Sequence, residues 1–358
     1  MVQQFFRLLR LCHRAAPLYS PDYLRVLLRA FRLCYRQGYL PKEAFQLGLL
    51  NPELPDDELS KYASVKRQTE VLQSINPSSW ESLVRDKGIF YLYCMALGAP
   101  IAKLYAIFFR KTPGWSYNGS PLKSRDDWKN FFDTQLPSEF VIKPAQGFLG
   151  RAVNIFSKTP DGFVDASGKS YKAEQIYHAI SSDTKFDSFI VQQRLKNHPD
   201  LLRLTDTDAL QTLRIDTFVD SDGKCRILHA HQKLITGRSI TDNFERGLTG
   251  NLQADVSLDD GTLAPAVTMD ANGLGIKTVP IHPGTDRTIE GFQLPWWTQA
   301  CRLVTETASH FLPIWTIGWD IALTPDGPLI SEANIWWAAH NQHQCAGAIL
   351  DVLFGNAQ

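Results

Sequence analysis

Two acidic residues and an asparagine near the C-terminal end of the chain have the types and spacing of a metal site. Asp320 lies in one apolar run, and Glu332 and Asn334 lie in the next, with the turn sequence Thr324-Pro325-Asp326-Gly327 between them. Such a turn predicts a β-hairpin. Because side chains alternate along a strand, Glu332 and Asn334 share a face that Asp320 can oppose. Two carboxylates and an amide oxygen suit Mg²⁺, whose coordination is usually completed by substrate phosphates. A surface hairpin with solvated acids is the alternative, but the apolar neighbourhood makes an unpaired carboxylate costly.

A second candidate is a lysine at the end of an apolar strand, followed by a glycine loop. Lys143 follows Val141-Ile142, and Gly147 and Gly150 lie in the loop that leads into the next strand. Backbone N–H groups of such a loop can bind phosphate oxygens, and the lysine adds a point charge. No Gly-Lys-Ser/Thr follows the glycines, so the pattern is not a Walker A motif. By itself the pattern is a weak signal, because most such segments are ordinary hairpins.

A third candidate is the polar segment that follows the apolar run Phe189–Val191. It begins Gln192-Gln193-Arg194-Leu195 and continues to His198 and Asp200. Exposed backbone at the end of a strand can form hydrogen bonds with the edge of an adenine base, although this segment alone does not establish such a site.

Two histidine pairs have the spacing of metal ligands. His229 and His231 share one face of a predicted strand, and His340 and His343 share one face of a predicted helix. Either pair could bind zinc, but zinc sites need at least a third protein ligand, and none stands at a suitable spacing in the sequence. Histidines with ordinary surface or core partners are the alternative that this favours.

These residues are positioned by a helical N-terminal part and a mixed remainder. Residues 1–100 show helical periodicity, with one start near Pro41-Lys42-Glu43 and one helix predicted over Ser79–Gly98. Short β-rich runs and helices follow, which indicates an α+β (mixed α/β) fold. The predicted strands are Leu104–Phe109, Phe140–Lys143, Val153–Phe156, Phe189–Gln192, Leu213–Val219, Arg226–Ile235, Trp315–Leu323 and Pro328–Ala333. The predicted later helices are Ala173–Ser181, Pro295–His310 and Gln342–Leu353.

Composition excludes several classes of protein. The 358 residues carry 37 Lys and Arg against 37 Asp and Glu, so a basic field over the whole protein is absent and no nucleic-acid partner is expected. The six cysteines are scattered without a CxxC pair, which favours a reducing compartment over a disulfide framework. No apolar run approaches the length of a membrane span. We therefore expect a soluble, cytoplasmic protein.

The first 40 residues are the exception to this balance, because seven arginines stand there against the single acid Asp22. A surplus of six positive charges on amphipathic segments is typical of peripheral contact with an anionic membrane or a polymer. A helix face that packs on the rest of the protein is the alternative, and the more common case.

Taken together, in this order and spacing, these pieces resemble the ATP-grasp superfamily, and most closely its sugar-transfer-associated branch, which is related to glutamate-ligase-like enzymes. The resemblance covers most of the chain, and the Asp320 … Glu332-x-Asn334 pattern is its most specific element. Further matches are Asp86-Lys87, the Val141–Val153 loop, Gln192–Leu195, Thr212-Leu213-Arg214, Asp242-Asn243-Phe244 and Ile281–Thr285. It implies an ATP-grasp fold with an N-terminal helical region. The expected segments are that region (1–76), a segment that precedes the ATP-grasp part (77–125), a small lid subdomain (126–195) and a large subdomain with the metal site (196–358).

The resemblance also implies a role for each candidate residue. Lys87 and Lys143 would contact ATP phosphates beneath a lid formed by Gly147 to Gly150. Gln192, Gln193 and Leu195 would hold the adenine, although the family often has a glutamate there. His198 or Asp200 would bind the ribose, and Asn243 would contact a phosphate or the acceptor. Mg²⁺ would be held by Asp320, Glu332 and Asn334, and Glu332 would bridge two ions. Many relatives have a catalytic arginine two residues before the first metal aspartate. Here that position is Gly318, and Arg214 is the candidate replacement.

The implied activity is an ATP-dependent carboxylate–amine ligase that forms an amide through an acylphosphate. Its substrates would be small molecules, namely a sugar, a polysaccharide precursor or an amino-acid-containing compound. Two alternatives remain open: a phosphotransferase that phosphorylates a hydroxyl, and a non-catalytic ATP-binding module that docks through the arginine-rich N-terminus.

Overall fold

The computed structural model describes residues 2–19, 22–147, 152–337 and 346–355. In these residues a helical N-terminal region precedes two antiparallel sheets, which confirms the predicted mixture of helices and strands. None of the helices in these ranges combines the length and the apolar character that crossing a bilayer requires.

Seven helices form the N-terminal region. They are α1 (Val2–Tyr19), α2 (Tyr23–Phe31), α3 (Pro41–Gln46), α4 (Asp56–Ser60), α5 (Val65–Ile75), α6 (Glu81–Arg85) and α7 (Lys87–Ala96). A π-helical turn over Arg32–Arg36 extends α2, and a 3₁₀ turn over Ser78–Trp80 precedes α6. Helix α3 begins at Pro41 as predicted, where the Glu43 carboxylate accepts a hydrogen bond from the N–H of Leu40.

The single helix predicted over Ser79–Gly98 is wrong, because Asp86 divides it into α6 and α7. The backbone of Asp86 is extended, and its carboxylate accepts hydrogen bonds from the N–H groups of Gly88 and Ile89, which caps α7. The predicted end is confirmed, since Gly98 has a φ of +68° just beyond α7.

Within the described residues, four of the seven N-terminal arginines make contacts with other parts of the protein. Arg29 donates to the carbonyls of Leu49 and Leu54, and Arg14 donates to that of Asn272. Two others form ion pairs, Arg25 with Glu53 and Arg32 with Asp56. These contacts favour a helix face packed on the protein, while membrane or polymer contact by the remaining arginines stays a prediction.

An eight-stranded antiparallel sheet follows, in the order β3-β2-β1-β8-β4-β5-β6-β7. Its strands are β1 (Leu104–Phe109), β2 (Gly114–Ser116), β3 (Pro121–Leu122), β4 (Glu139–Pro144), β5 (Asn154–Thr159), β6 (Gly162–Asp165), β7 (Ser170–Tyr171) and β8 (Ser188–Gln193). Helices α8 (Arg125–Asn130), which continues as a π-helical turn over Phe131–Gln135, and α9 (Ala173–Ser181) pack on it through an aromatic-rich core. Segments 77–125 and 126–195 therefore contribute strands to one sheet.

A seven-stranded antiparallel sheet carries most of the candidate residues, in the order β13-β12-β11-β10-β9-β14-β15. After α10 (Pro199–Thr205) its strands are β9 (Thr212–Val219), β10 (Cys225–Leu234), β11 (Leu252–Asp255), β12 (Ala266–Met269), β13 (Ile276–Val279), β14 (Thr316–Thr324) and β15 (Gly327–Asn334). Helix α11 (Trp297–Ala308) packs on this sheet, α12 (Ala346–Gly355) contacts α5, and short 3₁₀ turns cover Glu245–Gly247 and Ser309–Phe311.

Most of the predicted elements are confirmed within a few residues. Strand β1 and helix α9 match their predicted bounds, and the hairpin of β14 and β15 turns where the Thr324–Gly327 sequence predicts it. Strand β5 begins at Asn154, one residue later than predicted, and extends to Thr159. Residues 342–345 of the last predicted helix lie outside the described residues.

The N-terminal helices dock against the loop between β12 and β13. The N–H of Gly275 donates to the carbonyl of Phe45, and a Cβ added at Gly48 would lie 3.3 Å from the Cα of Gly275. This close backbone approach brings α3, with Lys42 and Gln46, to the edge of the cavity described below.

Candidate active site

Strand register brings the three predicted metal ligands together. Asp320 on β14 pairs with Glu332 on β15, and Gly318 pairs with Asn334, so the three side chains share one face. On the other side of β14, Asp320 pairs with Arg214 of β9. The predicted convergence of two carboxylates and one amide is therefore present in the structure.

Asp320 is surrounded by positive charge. Arg214 donates Nε to Oδ1 (2.9 Å) and Nη2 to Oδ2 (3.0 Å), and Lys233 of β10 donates Nζ to Oδ1 (2.8 Å). Burial would raise the pKa of the Asp320 carboxyl, but the charges of Arg214 and Lys233 outweigh it and hold that pKa well below its usual range. Asp320 is thus an anion at any physiological pH.

A fourth contact completes the coordination of this carboxylate, because Asn334 donates Nδ2 to Oδ2 of Asp320 at 3.3 Å. A carboxylate has about four acceptor positions, and here all four are used. A metal ion can therefore bind Asp320 only if one of these four hydrogen bonds breaks. The Asn334 contact is the longest, and rotation of its amide would release it while offering the amide oxygen instead.

Glu332 is the more accessible carboxylate, with 30% of its side chain exposed. Its Oε1 lies 3.4 Å from Nζ of Lys87, and that same ammonium donates to the carbonyl of Gly147 at 3.1 Å. The first residue of α7, the glycine loop and the metal hairpin therefore meet at one point.

Lys143 lies in the same place, buried at the end of β4 with its ammonium 5.6 Å from the centre of the Tyr91 ring. Burial first, and then the charge of Lys87, lower the pKa of Lys143 to about 8, while Glu332 and Asp320 act in the opposite direction. The ammonium keeps its proton at neutral pH, and an anion bound beside it would hold that proton more firmly.

These residues line a cavity of about 640 Å³, within the size range of small-molecule sites. The lining has seven cationic and five anionic side chains, so it carries a net charge of about +2. The cations are Lys42, Lys87, Lys143, Arg194, Arg214, Lys233 and Arg246, and the anions are Asp208, Asp242, Glu245, Asp320 and Glu332. Such a cavity attracts a polyanion and still holds carboxylates that could ligate a metal ion.

Gln192, Gln193 and Leu195 also line the cavity, at the end of β8. The N–H of Gln193 donates to the carbonyl of Lys103, while its side-chain oxygen accepts from the N–H of Lys103. Gln192 is buried, and its Oε1 has no hydrogen-bond partner among the described residues. A buried acceptor without a hydrogen bond therefore belongs to a residue that lines the cavity where the adenine was expected.

Two other predicted nucleotide contacts lie away from the cavity. His198 begins α10, where its Nδ1 accepts from the N–H of Asp200, and Asp200 pairs with Arg203. Neither residue is part of the cavity lining, because this capping turn holds both at the start of α10. Asp208, in the loop after α10, is the nearby carboxylate that does line it.

Asn243 lines the cavity, and its carbonyl accepts from Thr249 and Asn251 within its own loop. Its neighbour Asp242 has a tighter role, because its Oδ2 accepts from both the N–H and the hydroxyl of Thr212. Gly147 lines the cavity as predicted, whereas Gly150 and the histidine pair His340 and His343 lie outside the described residues.

The sequence profile of a family described as sugar-transfer associated ATP-grasp matches residues 66–348. The chain belongs to the sugar-transfer-associated ATP-grasp family. Among curated proteins, none matches this sequence significantly.

Several solved structures have some similarity to this sugar-transfer-associated ATP-grasp protein. The D-alanyl-alanine synthetase A of Vibrio cholerae has 13% identity and a TM-score of 0.41, and the match covers 77% of this chain and 66% of that one. Biotin carboxylase from Campylobacter jejuni has 11% identity and a TM-score of 0.47, with 79% and 48% covered. An L-amino acid ligase from Bacillus licheniformis has 13% identity and a TM-score of 0.36, with 71% and 41% covered. The chain thus spans less than two thirds of the length of these three proteins, and family membership rests on the profile.

Gly318, where many ATP-grasp relatives have arginine, faces the guanidinium of Arg214. A Cβ added at Gly318 would meet Arg214 Nη1 at 3.0 Å and Asp216 Oδ1 at 2.8 Å. Arg214, Asp216 and Trp337 thus occupy the space that a side chain at position 318 would need, and the role of Arg214 as the replacement stays a prediction.

Sequence reasoning missed Lys233, which hydrogen-bonds both Asp320 and Thr212. Its signal was present, because Lys233 stands two residues after His231 on one predicted strand and so shares its face. What was lacking was the register between β9 and β10, without which that face could not be assigned to the cavity.

Proposed function

We propose that this protein is an ATP-dependent carboxylate–amine ligase. The observation that carries the proposal is the meeting of Lys87, Lys143 and Gly147 with the metal-ligand hairpin of Asp320 and Glu332. Family membership supports ATP chemistry, and the surplus of positive charge in the cavity supports an anionic nucleotide.

ATP would lie with its adenine at the end of β8 and its phosphates among the lysines. The carbonyl of Gln193 and the N–H of Leu195 would bind the base edge, and the unpartnered Oε1 of Gln192 would accept from the exocyclic amino group. Asp208 would replace His198 and Asp200 as the ribose ligand, since it lines the cavity and they do not.

Mg²⁺ would be held by Asp320, Glu332 and Asn334, and once bound it would screen the phosphate charges. The fit rests on the donor set of two carboxylates and an amide oxygen, which is hard-oxygen chemistry. Glu332 would be the first ligand, because its carboxylate is the more exposed and has one weak ionic contact instead of four hydrogen bonds.

The reaction would proceed in two displacement steps. A substrate carboxylate oxygen would attack the γ-phosphorus, and the bond to the β-phosphate oxygen would break with its electron pair, releasing ADP and leaving an acylphosphate. An amine would then attack the acyl carbon, lose a proton and expel phosphate to give the amide. Arg214 and Lys143 would stabilise the charge on the transferred phosphoryl group in the first step.

The acceptor would enter between α3 and the C-terminal tryptophans. Lys42 and Gln46 of α3 and the tryptophans Trp336 and Trp337 all line the cavity, and aromatic faces bind sugar rings and apolar groups well. We therefore propose a sugar, a polysaccharide precursor or an amino-acid-containing compound as the substrate class.

Hydroxylamine trapping tests this proposal directly. Purified protein with MgATP and a panel of sugar acids and amino acids should release ADP and, with neutral hydroxylamine, yield a hydroxamate. The Glu332→Gln variant should do neither. A phosphorylated alcohol among the products would instead establish the phosphotransferase, and ATP turnover without any trappable acyl group would contradict the ligase.

A further inference from the structure

Three side chains that could ligate a metal lie on the seven-stranded sheet beside the Asp320 hairpin, where Asp216 pairs with Gly318 and His231 lines the cavity. Asp216 of β9 and His229 and His231 of β10 each offer one ligand atom, and these atoms lie within 4.8 Å of one another. We propose that these three residues bind a divalent transition-metal ion such as Zn²⁺. The sequence contained the two histidines but no third ligand at a suitable spacing. The neighbouring strand supplies it.

A β-bulge creates this arrangement. Ile227 pairs with Thr217, but the next partner of β9, Asp216, pairs with His229 instead of Leu228. Without the extra residue, Leu228 would oppose Asp216, and His229 and His231 would lie on the other face of the sheet. The bulge therefore turns both imidazoles towards the face that carries Asp216.

Asp216 lacks, among the described residues, the hydrogen bonds that a buried carboxylate usually has. It is fully buried, and neither of its carboxylate oxygens has a hydrogen-bond partner among those residues. The neighbouring Arg214 guanidinium attracts Asp216 electrostatically but directs its hydrogen bonds to Asp320. A buried carboxylate without hydrogen bonds is costly, and a bound metal ion would offset that cost.

His229 already has the outer contact that metal-ligating histidines usually make. Its Nε2 lies 3.1 Å from Oδ1 of Asp255, which directs the Nε2 proton to that carboxylate and leaves Nδ1 as a ligand. Nδ1 lies 3.5 Å from Oδ2 of Asp216. Two ligands on a tetrahedral zinc ion, each about 2.0–2.1 Å from the metal, are about 3.3 Å apart.

The competing occupant is a proton shared within the same cluster. An imidazolium at His229 would donate to both Asp216 and Asp255, and the two carboxylates do attract positive charge. However, 3.5 Å is at the long limit for such a hydrogen bond and close to a ligand–ligand separation. The distance therefore accommodates an ion between these atoms, and the titration below distinguishes the two occupants. Two imidazoles and one carboxylate are ligands that transition metals prefer over Mg²⁺.

The test is metal binding by the full-length protein after removal of metals with a chelator. Titration with Zn²⁺ or Co²⁺ alone, without nucleotide, should show one tightly bound metal ion per protein molecule. The Co²⁺ complex should have the visible spectrum of a low-coordinate site. His229→Gln and His231→Gln should lose this bound ion. Asp255→Asn should bind about 10–100-fold more weakly, as expected of an outer-sphere partner. Glu332→Gln, at the magnesium ligands, is the matched control and should retain it.

X-ray absorption of the wild-type zinc complex adds a test that needs no variant. It should show nitrogen and oxygen neighbours at about 2.0–2.1 Å with imidazole scattering. A sulfur shell would assign the ion to a cysteine and overturn the proposal. The proposal would also be overturned if the wild type bound no metal ion tightly, since the shared proton would then be the occupant. It would likewise be overturned if Glu332→Gln lost the tightly bound ion while both histidine variants kept it.

Discussion

Replacement of Arg214 by methionine removes the two hydrogen bonds that hold Asp320 from β9. Breaking a buried ion pair typically costs about 3–5 kcal/mol, because the remaining charge is left uncompensated. Here Lys233 stays 2.8 Å from Oδ1 of Asp320, so the carboxylate keeps one cation. We therefore expect the free energy of unfolding to fall by about 2–4 kcal/mol, below the full cost of an orphaned buried charge.

The same substitution should have a larger effect on turnover. If Arg214 takes the place of the arginine missing at position 318, it acts on the phosphoryl group during transfer. Removal of one such electrostatic donor typically lowers kcat by about 10²–10³. The KM for ATP should change less, because Lys87 and Lys143 still hold the ground-state phosphates. Arg214→Lys should recover stability better than turnover, since it restores the charge without the planar fork.

Urea denaturation and a coupled ADP-release assay measure both effects. The matched control is Arg226→Met. Arg226 lies on the neighbouring strand β10, is half exposed, and forms an ion pair with Asp220 at 3.1 Å, which the substitution removes. Exposed pairs contribute about 0–1 kcal/mol, and turnover should not change. Arg214→Met with unchanged kcat, or with a stability loss no larger than that of Arg226→Met, would refute the assignment.

Three further predictions concern the scaffold. Gly261→Ala should lower the free energy of unfolding measured in urea by about 2–4 kcal/mol, because the added Cβ would lie 2.3 Å from Trp297 Cγ. Gly223→Ala is the control, because Gly223 also has a positive φ but lies in open space, and it should lower that free energy by only about 1 kcal/mol. Asn76→Ala should lower Tm by several degrees, because this buried amide hydrogen-bonds four backbone groups near β14 and β15, and an unchanged Tm would contradict this. Burial lowers the pKa of His282, so the contribution of His282 to the unfolding free energy should be constant above about pH 6.5 and fall below it by at most about 1.4 kcal/mol per pH unit. His282→Gln should flatten this slope.

Local sequence patterns specified the elements well where one periodicity dominated. The β14–β15 hairpin could be predicted to within one residue at each strand end because its turn sequence and its alternation agree, and the spacing of Glu332 and Asn334 then fixed their common face. Asp86 shows the opposite case. It was noted for its neighbour Lys87, but an aspartate that caps a new helix divides a run whose apolar periodicity looks continuous.

The parts of the site that sequence could not supply depend on register between strands. Lys233 and Asp216 reach their partners only because a bulge in β10 shifts its pairing with β9, and no local pattern specifies which residue is the extra one. The approach of Lys42 to the cavity depends likewise on how α3 docks through Gly48 on a distant loop. His198 caps α10 and does not belong to the cavity lining, and its position in the sequence did not indicate which of the two roles it has.

Calorimetric titration with a non-hydrolysable ATP analogue, with and without Mg²⁺, tests most directly whether nucleotide phosphates and a divalent ion lie between Lys143 and Glu332. The wild type should bind one equivalent, and Mg²⁺ should tighten binding at least about tenfold, or about 1.4 kcal/mol. Lys143→Met should weaken binding in both conditions, and Glu332→Gln should abolish only the effect of Mg²⁺. Binding that is indifferent to Mg²⁺ and to both substitutions would contradict this site.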